Sequence, residues 1–197
     1  MYAGKFRTRA LTFSYKGIAR GEIMAARRVC ATENLVEHRF VNLPDVRESG
    51  DIPGGRFEGL PPTYIPMRNA IYYSLASAYA EEVGADLIVG GHNRDDPLVF
   101  PDSGAKFFKA FERMVWAGSP ILERRGTRIV RPLKARTKAR VVRLGHSLKV
   151  PFELTWSCHR DGSGPCWTCD GCRGRSEAFY RAGVVDPLRT SRAGKIS

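Results

Sequence analysis

The sequence predicts an α/β fold built on a parallel sheet, with a small C-terminal segment that holds a metal. Two observations carry this. Short apolar runs alternate with segments of helical period along the first 150 residues, and four of the five cysteines crowd between Cys158 and Cys172. Composition agrees: 197 residues with 43% hydrophobic and 26% charged content can bury a full core, and no internal repeat or low-complexity tract intervenes.

RALTFSY, from Arg9 to Tyr15, is β-branched and aromatic and reads as a strand. Arg20 to Ala31 follows as a helix, with Ile23, Met24, Ala26 and Val29 at helical spacings. Cys30, inside that helix, is expected to be a small core residue. VEHRFVNL, Val36 to Leu43, reads as a second strand, and RESGDIPGGRFEGLPPTYIP, dense in Gly and Pro, as a long loop of functional length. From Arg68 to Val83 the spacing of Ile71, Leu75 and Tyr79, with Ala76 and Ala80 beside them, predicts a helix. ADLIVGG is a continuous apolar run of the kind buried on both faces of a sheet.

AKFFKAFERMVWAG predicts a further helix with Phe107, Phe108, Phe111, Met114 and Val115 on its core face. RIVRPL gives a short strand. Thr137 is placed to cap TKARVVRLGHSL, whose Val141, Leu144 and Leu148 share one side, and RSEAFYRAG is a last helix stopped at Gly183. The expected organisation is an α/β domain over residues 1–150, a metal-binding segment over 151–188 and a basic tail over 189–197.

No apolar run approaches eighteen residues, and MYAGKFRTRALTFSYK lacks an apolar stretch of signal-peptide length, so a cytoplasmic protein without a membrane segment is expected. The net charge of +12 concentrates between Glu123 and Lys149, where ten Lys or Arg face a single Glu. Either a polyanionic partner such as RNA, ATP or a phosphorylated substrate, or a solvated basic face, accounts for that bias.

The cysteines Cys158, Cys166, Cys169 and Cys172 are spaced C-x7-C-x2-C-x2-C. In a cytoplasmic chain thiols stay reduced, which argues against a disulfide knot. A two-residue gap lets a tight turn aim both sulfurs at one ion, and Gly162, Gly164, Pro165 and Gly171 supply such turns. Four thiolates satisfy a closed tetrahedral zinc site, which holds structure because no position is left for water; they also suit an iron–sulfur cluster. A redox C-x2-C pair needs no four-cysteine set.

LTWSCHRDGSGPCWTCDGCRGRSEAFYRAGVVDPL resembles the zinc segment of the 7-cyano-7-deazaguanine synthase family, on Trp156, Ser157, the four cysteines, Arg173, Ala178, Phe179, Gly183 and Asp186. TYIPMRN is similar to the family's Y-x-P-x-R-N, with Pro66, Arg68 and Asn69 on matching positions at a helix start, where amide donors and the dipole favour an anion. GGHNRDDPLVFPD resembles the segment that brings His92, Asn93, Asp96 and Asp102 to the carboxyl edge of the sheet. RPLKARTKARVVRLG looks like the loop and helix that carry a Lys, here Lys138, toward nucleotide phosphates.

The resemblance, from about Arg9 to Leu188, implies a Rossmann-like, adenine nucleotide α-hydrolase-like parallel sheet with helices on both faces. It implies ATP-dependent conversion of 7-carboxy-7-deazaguanine and ammonia to 7-cyano-7-deazaguanine, a precursor of queuosine and archaeosine in tRNA. Lys138 and Asp96 are then catalytic; Arg68, Asn69, His92, Asn93 and Asp102 bind substrate or nucleotide; and Cys158, Cys166, Cys169 and Cys172 hold structural Zn2+. ATP is a co-substrate with Mg2+, the family tends to form homodimers, and a tRNA contact is open. Three departures stand beside this. No S-G-G-x-D-S pyrophosphate loop precedes RALTFSY, so the sheet is expected to lack its first strand; Lys106 stands where the family usually has Glu; and Arg140 replaces another usual Glu. A zinc-clasped module that binds deazapurine or RNA without catalysis, or a related ATP-dependent tRNA-modifying enzyme, are the alternatives. The latter would need a reactive, exposed cysteine or a cluster.

Overall fold

The computed structural model describes residues 5–44 and 64–190. Most of the expected long loop and the tail beyond Thr190 lie outside the described residues. The chain divides into two compact units, one of Met1–Ser49 with Ala139–Ser197, the other Gly50–Lys138.

In the first unit β1 (Arg9–Ser14) and β2 (Glu37–Asn42) pair in parallel, Arg9 opposite Glu37 and Ser14 opposite Asn42. A parallel pair needs a crossover, and α1 (Arg20–Ala31) supplies it. No side chain of its own start caps α1; the Asp161 carboxylate accepts the Arg20 amide at 2.6 Å and puts negative charge at the helix N-terminus. Arg27 lies over the Phe40 ring at 4.2 Å, laying the helix on β2. Cys30, expected in the core, is half-buried, and burial followed by Glu33 raises its pKa.

Three further helices complete that unit. In α5 (Lys138–Ser147), which begins directly after Thr137, Val142 is the buried side chain; Leu148, expected on the same side, lies past the helix end and is exposed. Val142 packs with Ala178, Phe179 and Ala182 of α6 (Asp170–Ala182), and Phe152 meets the Phe179 ring edge-on at 5.0 Å. Gly183 ends α6 in the left-handed conformation at φ 67°, as its sequence position predicts. A short α7 (Pro187–Thr190) follows.

The second unit holds α2 (Arg68–Val83), β3 (Leu87–Val89), α3 (Ala105–Gly118), α4 (Pro120–Arg125) and β4 (Arg128–Val130). β3 and β4 pair in parallel, Leu87 opposite Arg128 and Val89 opposite Val130. Its core is Tyr73, Ala80, Ile88, Phe108, Phe111, Val115 and Leu122. On α2 Tyr79 and Ala80 are buried as expected, but Asn69, Tyr73 and Ser77 share the buried face and Leu75 is exposed. Tyr73 takes the inward position because its ring stacks edge-on to Phe108 at 4.8 Å, which an aliphatic side chain cannot do. On α3 the phenylalanines turn inward as expected, whereas Met114 is exposed. Among the described residues no helix is long and apolar enough to cross a membrane.

Candidate functional site

Two constellations carry chemistry, one in each unit. In the first unit the sulfurs of Cys158, Cys166, Cys169 and Cys172 all lie within 4.8 Å of one another. Cys166 to Cys172 and Cys169 to Cys158 are each 3.9 Å apart, far beyond a disulfide bond. Four Zn–S bonds of about 2.3 Å at tetrahedral angles require sulfur separations of about 3.8 Å, which these distances match.

The loop builds that geometry from its own backbone. The amides of Arg160 and Cys166 donate to the Cys158 sulfur at 3.4 Å, and the Cys169 amide donates to Cys166 at 3.3 Å. Such bonds stabilise thiolates. The Thr168 side chain and amide, then the Cys169 amide, hold the Cys166 thiol down at about 5, while burial pushes Cys172 up to about 12. At Cys169 burial raises the thiol, but hydrogen bonds led by the His159 backbone leave it lowered. Trp156 donates to the Cys158 carbonyl at 2.8 Å. Gly171 is required at its position, because a Cβ there would lie 1.9 Å from the Ser157 carbonyl oxygen. The four cysteines can hold a metal ion, and their arrangement fits a closed tetrahedral zinc site.

The second unit gathers the predicted polar residues at the carboxyl ends of β3 and β4. Arg68 and Asn69 open α2, preceded by Met67 in the left-handed conformation at φ 53°, a strained state for a residue with a Cβ. The Asn69 amide, expected to face a bound anion, donates at 3.0 Å to the buried Asp102 carboxylate. Asp102 therefore serves as the cap of α2. Asp96 organises the loop after β3, accepting from the Asn93 amide at 2.9 Å and from its side-chain Nδ2 at 3.0 Å. Asp95 accepts the Lys138 amide at 3.1 Å, and the Arg94 amide donates to the Arg136 carbonyl at 2.9 Å. These two bonds tie residues 94–95 to residues 136–138, while the Lys138 residue stays exposed. Lys106 and Arg140 are likewise exposed.

His92 sits 4.0 Å from Asp96 and stacks near Tyr73 at 5.9 Å and Phe108 at 5.3 Å. Burial lowers its pKa below the ordinary 6.5; Asp96 and Asp102 oppose the shift, and Arg131 and Arg68 add to it. The sign of the pH dependence follows. Near neutral pH the folded state binds this proton less than the unfolded chain does, so the stability from neutral His92 is complete above about pH 6.5 and is lost as pH falls through the folded-state pKa. Melting temperatures between about pH 5 and 7 should therefore fall less steeply for His92→Gln than for the parent. An unchanged slope would place His92 in contact with water. His38, whose pKa burial also lowers, contributes equally to both proteins.

Two residues of this cluster escape the sequence reading. Tyr73 is buried, its pKa pushed up to about 12 by burial against a smaller opposing effect of Arg131, and its hydroxyl occupies the space where a Cβ at Gly90 would be, 1.7 Å away. Arg131 follows β4 directly and lies over the Phe108 ring at 4.2 Å. For Tyr73 the i, i+4 recurrence with Asn69 and Ser77 was a signal masked by the aliphatic stripe; for Arg131 the run of basic residues hid it.

Comparison with known proteins follows the same residues. The family model described as "Queuosine biosynthesis protein QueC" matches residues 3–183. The chain is similar to a 7-cyano-7-deazaguanine synthase of Stutzerimonas stutzeri (strain A1501), 39% identical over 190 residues covering 91% of this chain and 85% of that protein. One from Trichodesmium erythraeum (strain IMS101) is 34% identical over 194 residues, 91% of this chain and 87% of its own. One from Thermoplasma acidophilum is 43% identical over 131 residues, 66% of this chain and 55% of its own. With the cysteine cluster and the polar strand ends inside the matched region, the chain belongs to the queuosine biosynthesis protein QueC family.

Proposed function

We propose that the chain is an ATP-dependent carbon–nitrogen ligase that converts 7-carboxy-7-deazaguanine and ammonia to 7-cyano-7-deazaguanine, a queuosine or archaeosine precursor. The observation that carries this is identity of 39% across 91% of the chain to a protein named for that product. A carboxylate is a poor electrophile. Transfer of the adenylyl group of ATP to its oxygen releases pyrophosphate and gives the carbon a leaving group. The ammonia lone pair then attacks the carbonyl carbon, the carbon–oxygen bond to AMP breaks, and the amide forms with loss of a proton. A second adenylylation, on the amide oxygen, releases a second pyrophosphate, and departure of AMP with loss of both N–H protons gives the nitrile.

The loop after β3 and the start of α5 supply the groups for this. Lys138 presents a cation that offsets charge developing on phosphate oxygens, with Mg2+ accompanying ATP. Asp96, held by Asn93 beside His92, is the carboxylate assigned to accept the proton from the attacking nitrogen. Arg68, Asn69, Asn93 and Asp102 shape the binding end. Zinc at the four cysteines braces residues 158–172 and takes no part in the reaction. The protein works in the cytoplasm, as a homodimer.

Purified protein incubated with 7-carboxy-7-deazaguanine, ammonium and Mg-ATP should yield the nitrile by mass spectrometry, together with AMP and pyrophosphate. Lys138→Ala should lower kcat about 100-fold or more while the deazapurine still binds. Release of AMP that does not depend on the deazapurine would rule the assignment out.

A further inference from the structure

We propose that Arg131 is an oxyanion anchor at the carboxyl end of β4, gripping either the carboxylate of the deazapurine or a phosphate of the nucleotide, and that it sets the preference for an anionic ligand. Its place comes first. β3 and β4 run parallel, the Gly90 amide donates to the Val130 carbonyl at 2.9 Å, and Arg131 is the next residue, so it and the His92 loop leave the same end of the strand pair. Ligands of open parallel sheets bind at that end.

Its bonding comes second. The guanidinium carbon lies over the Phe108 ring, 4.2 Å from its centroid, and one of its nitrogens donates to the Ser103 carbonyl at 3.3 Å. Among the described residues it makes no ion pair, although Glu112 lies near enough to act on it. Glu112 is held by Arg128 at 2.9 Å and the Ile129 amide at 3.0 Å, Asp102 by the Asn69 amide, and Asp96 by Asn93. A guanidinium has five donors, and most of these are left for something else. Burial depresses its pKa, ahead of the opposing effects of Tyr73 and Glu112, so the cation carries a desolvation cost that a bound anion would relieve.

Its stiffness comes third. Contact with Phe108, itself edge-on to Tyr73 and packed near His92, together with the bond to the Ser103 carbonyl restrains the fork. A pre-set planar fork fits a carboxylate or phosphate in two parallel hydrogen bonds, which a lysine cannot reproduce.

The ligands of the first test rest on the synthase reading. Arg131→Met keeps the stem on Phe108 and removes the fork; its melting curve reports whether the fold is kept. Calorimetric titrations compare 7-carboxy-7-deazaguanine with the uncharged 7-cyano-7-deazaguanine, and ATP with adenosine. Arg131→Met should weaken one anion by about tenfold to a hundredfold and leave its uncharged counterpart within about twofold, and the anion affected names the source. Arg131→Lys should recover only part of the loss. Equal loss for charged and uncharged ligands, or no loss for any, would overturn the inference. Benzoate and inorganic pyrophosphate supply an arm free of the deazapurine reading. If their binding depends on Arg131 while neither 7-carboxy-7-deazaguanine nor ATP binds, the anchor stands and the synthase reading falls. A parent protein that binds none of these anions removes the anchor.

Discussion

Cys169→Ala should reduce zinc from one ion per chain to a trace and collapse the fold of residues 158–172. Three thiolates could still bind metal, but the loop's other contacts are few. Of its four cysteines only Cys158 and Cys172 are fully buried, and its remaining contacts are amide-to-sulfur bonds plus a few side-chain bonds such as Arg20 to Asp161. The binding energy of a structural zinc, on the order of 10 kcal/mol at neutral pH, is folding energy in a segment of this kind. Cys169 is also the cap position of α6, its carbonyl accepting the Arg173 amide at 2.9 Å. The first turn of α6 should therefore fray with the loop. Metal content by mass spectrometry and amide exchange over Asp170–Ala182 report both effects. Full metal content with parent-like exchange would mean that the four sulfurs do not share an ion.

How much of this was legible differs by element. The helices at Arg20–Ala31, Arg68–Val83 and Ala105–Gly118 coincide with their predicted spans, and the last two are punctuated by glycine: Gly84 follows the second, and the third starts after Gly104. α4 was missed although its signals were present, with Ser119 accepting the Leu122 amide, Pro120 at the first turn and Gly126 at the end; six residues are too few for periodicity to register. α6 begins at Asp170, five residues before the predicted RSEAFYRAG, because Gly171 and Cys172 read as part of a metal turn while the backbone uses them for both turn and helix. The cysteine site was legible from spacing alone, since its geometry is local. The polar site was legible only in its members. That Asp102 would take the Asn69 amide, or that Arg131 would lie over Phe108, depends on contacts between residues more than twenty positions apart, which no local pattern encodes.

Asp186→Ala should destabilise the first unit by about 3–5 kcal/mol without releasing zinc. Asp186 and Arg175 are nearly sealed from water, at 3% and 6% side-chain exposure, and meet through two parallel bonds of 2.7 and 2.8 Å. Arg175 also donates to Thr155 Oγ1 at 2.7 Å and to the Phe152 carbonyl at 3.1 Å, and Asp186 accepts the Leu188 amide at 3.1 Å. Truncating the carboxylate strands a buried cation, and that stranded charge, more than the lost attraction, sets the size of the effect. Removing both charges should then be far milder. In Arg175→Met with Asp186→Leu, Thr155 Oγ1 loses the Arg175 donor but still donates to the Phe152 carbonyl at 2.7 Å, and the Leu188 amide loses its partner, a cost of about 1 kcal/mol. Urea unfolding of the single and double variants separates the two contributions. Equal losses for both would mean that the pair's attraction outweighs its desolvation, and a zinc loss in Asp186→Ala would mean that α6 and the metal loop fold as one unit.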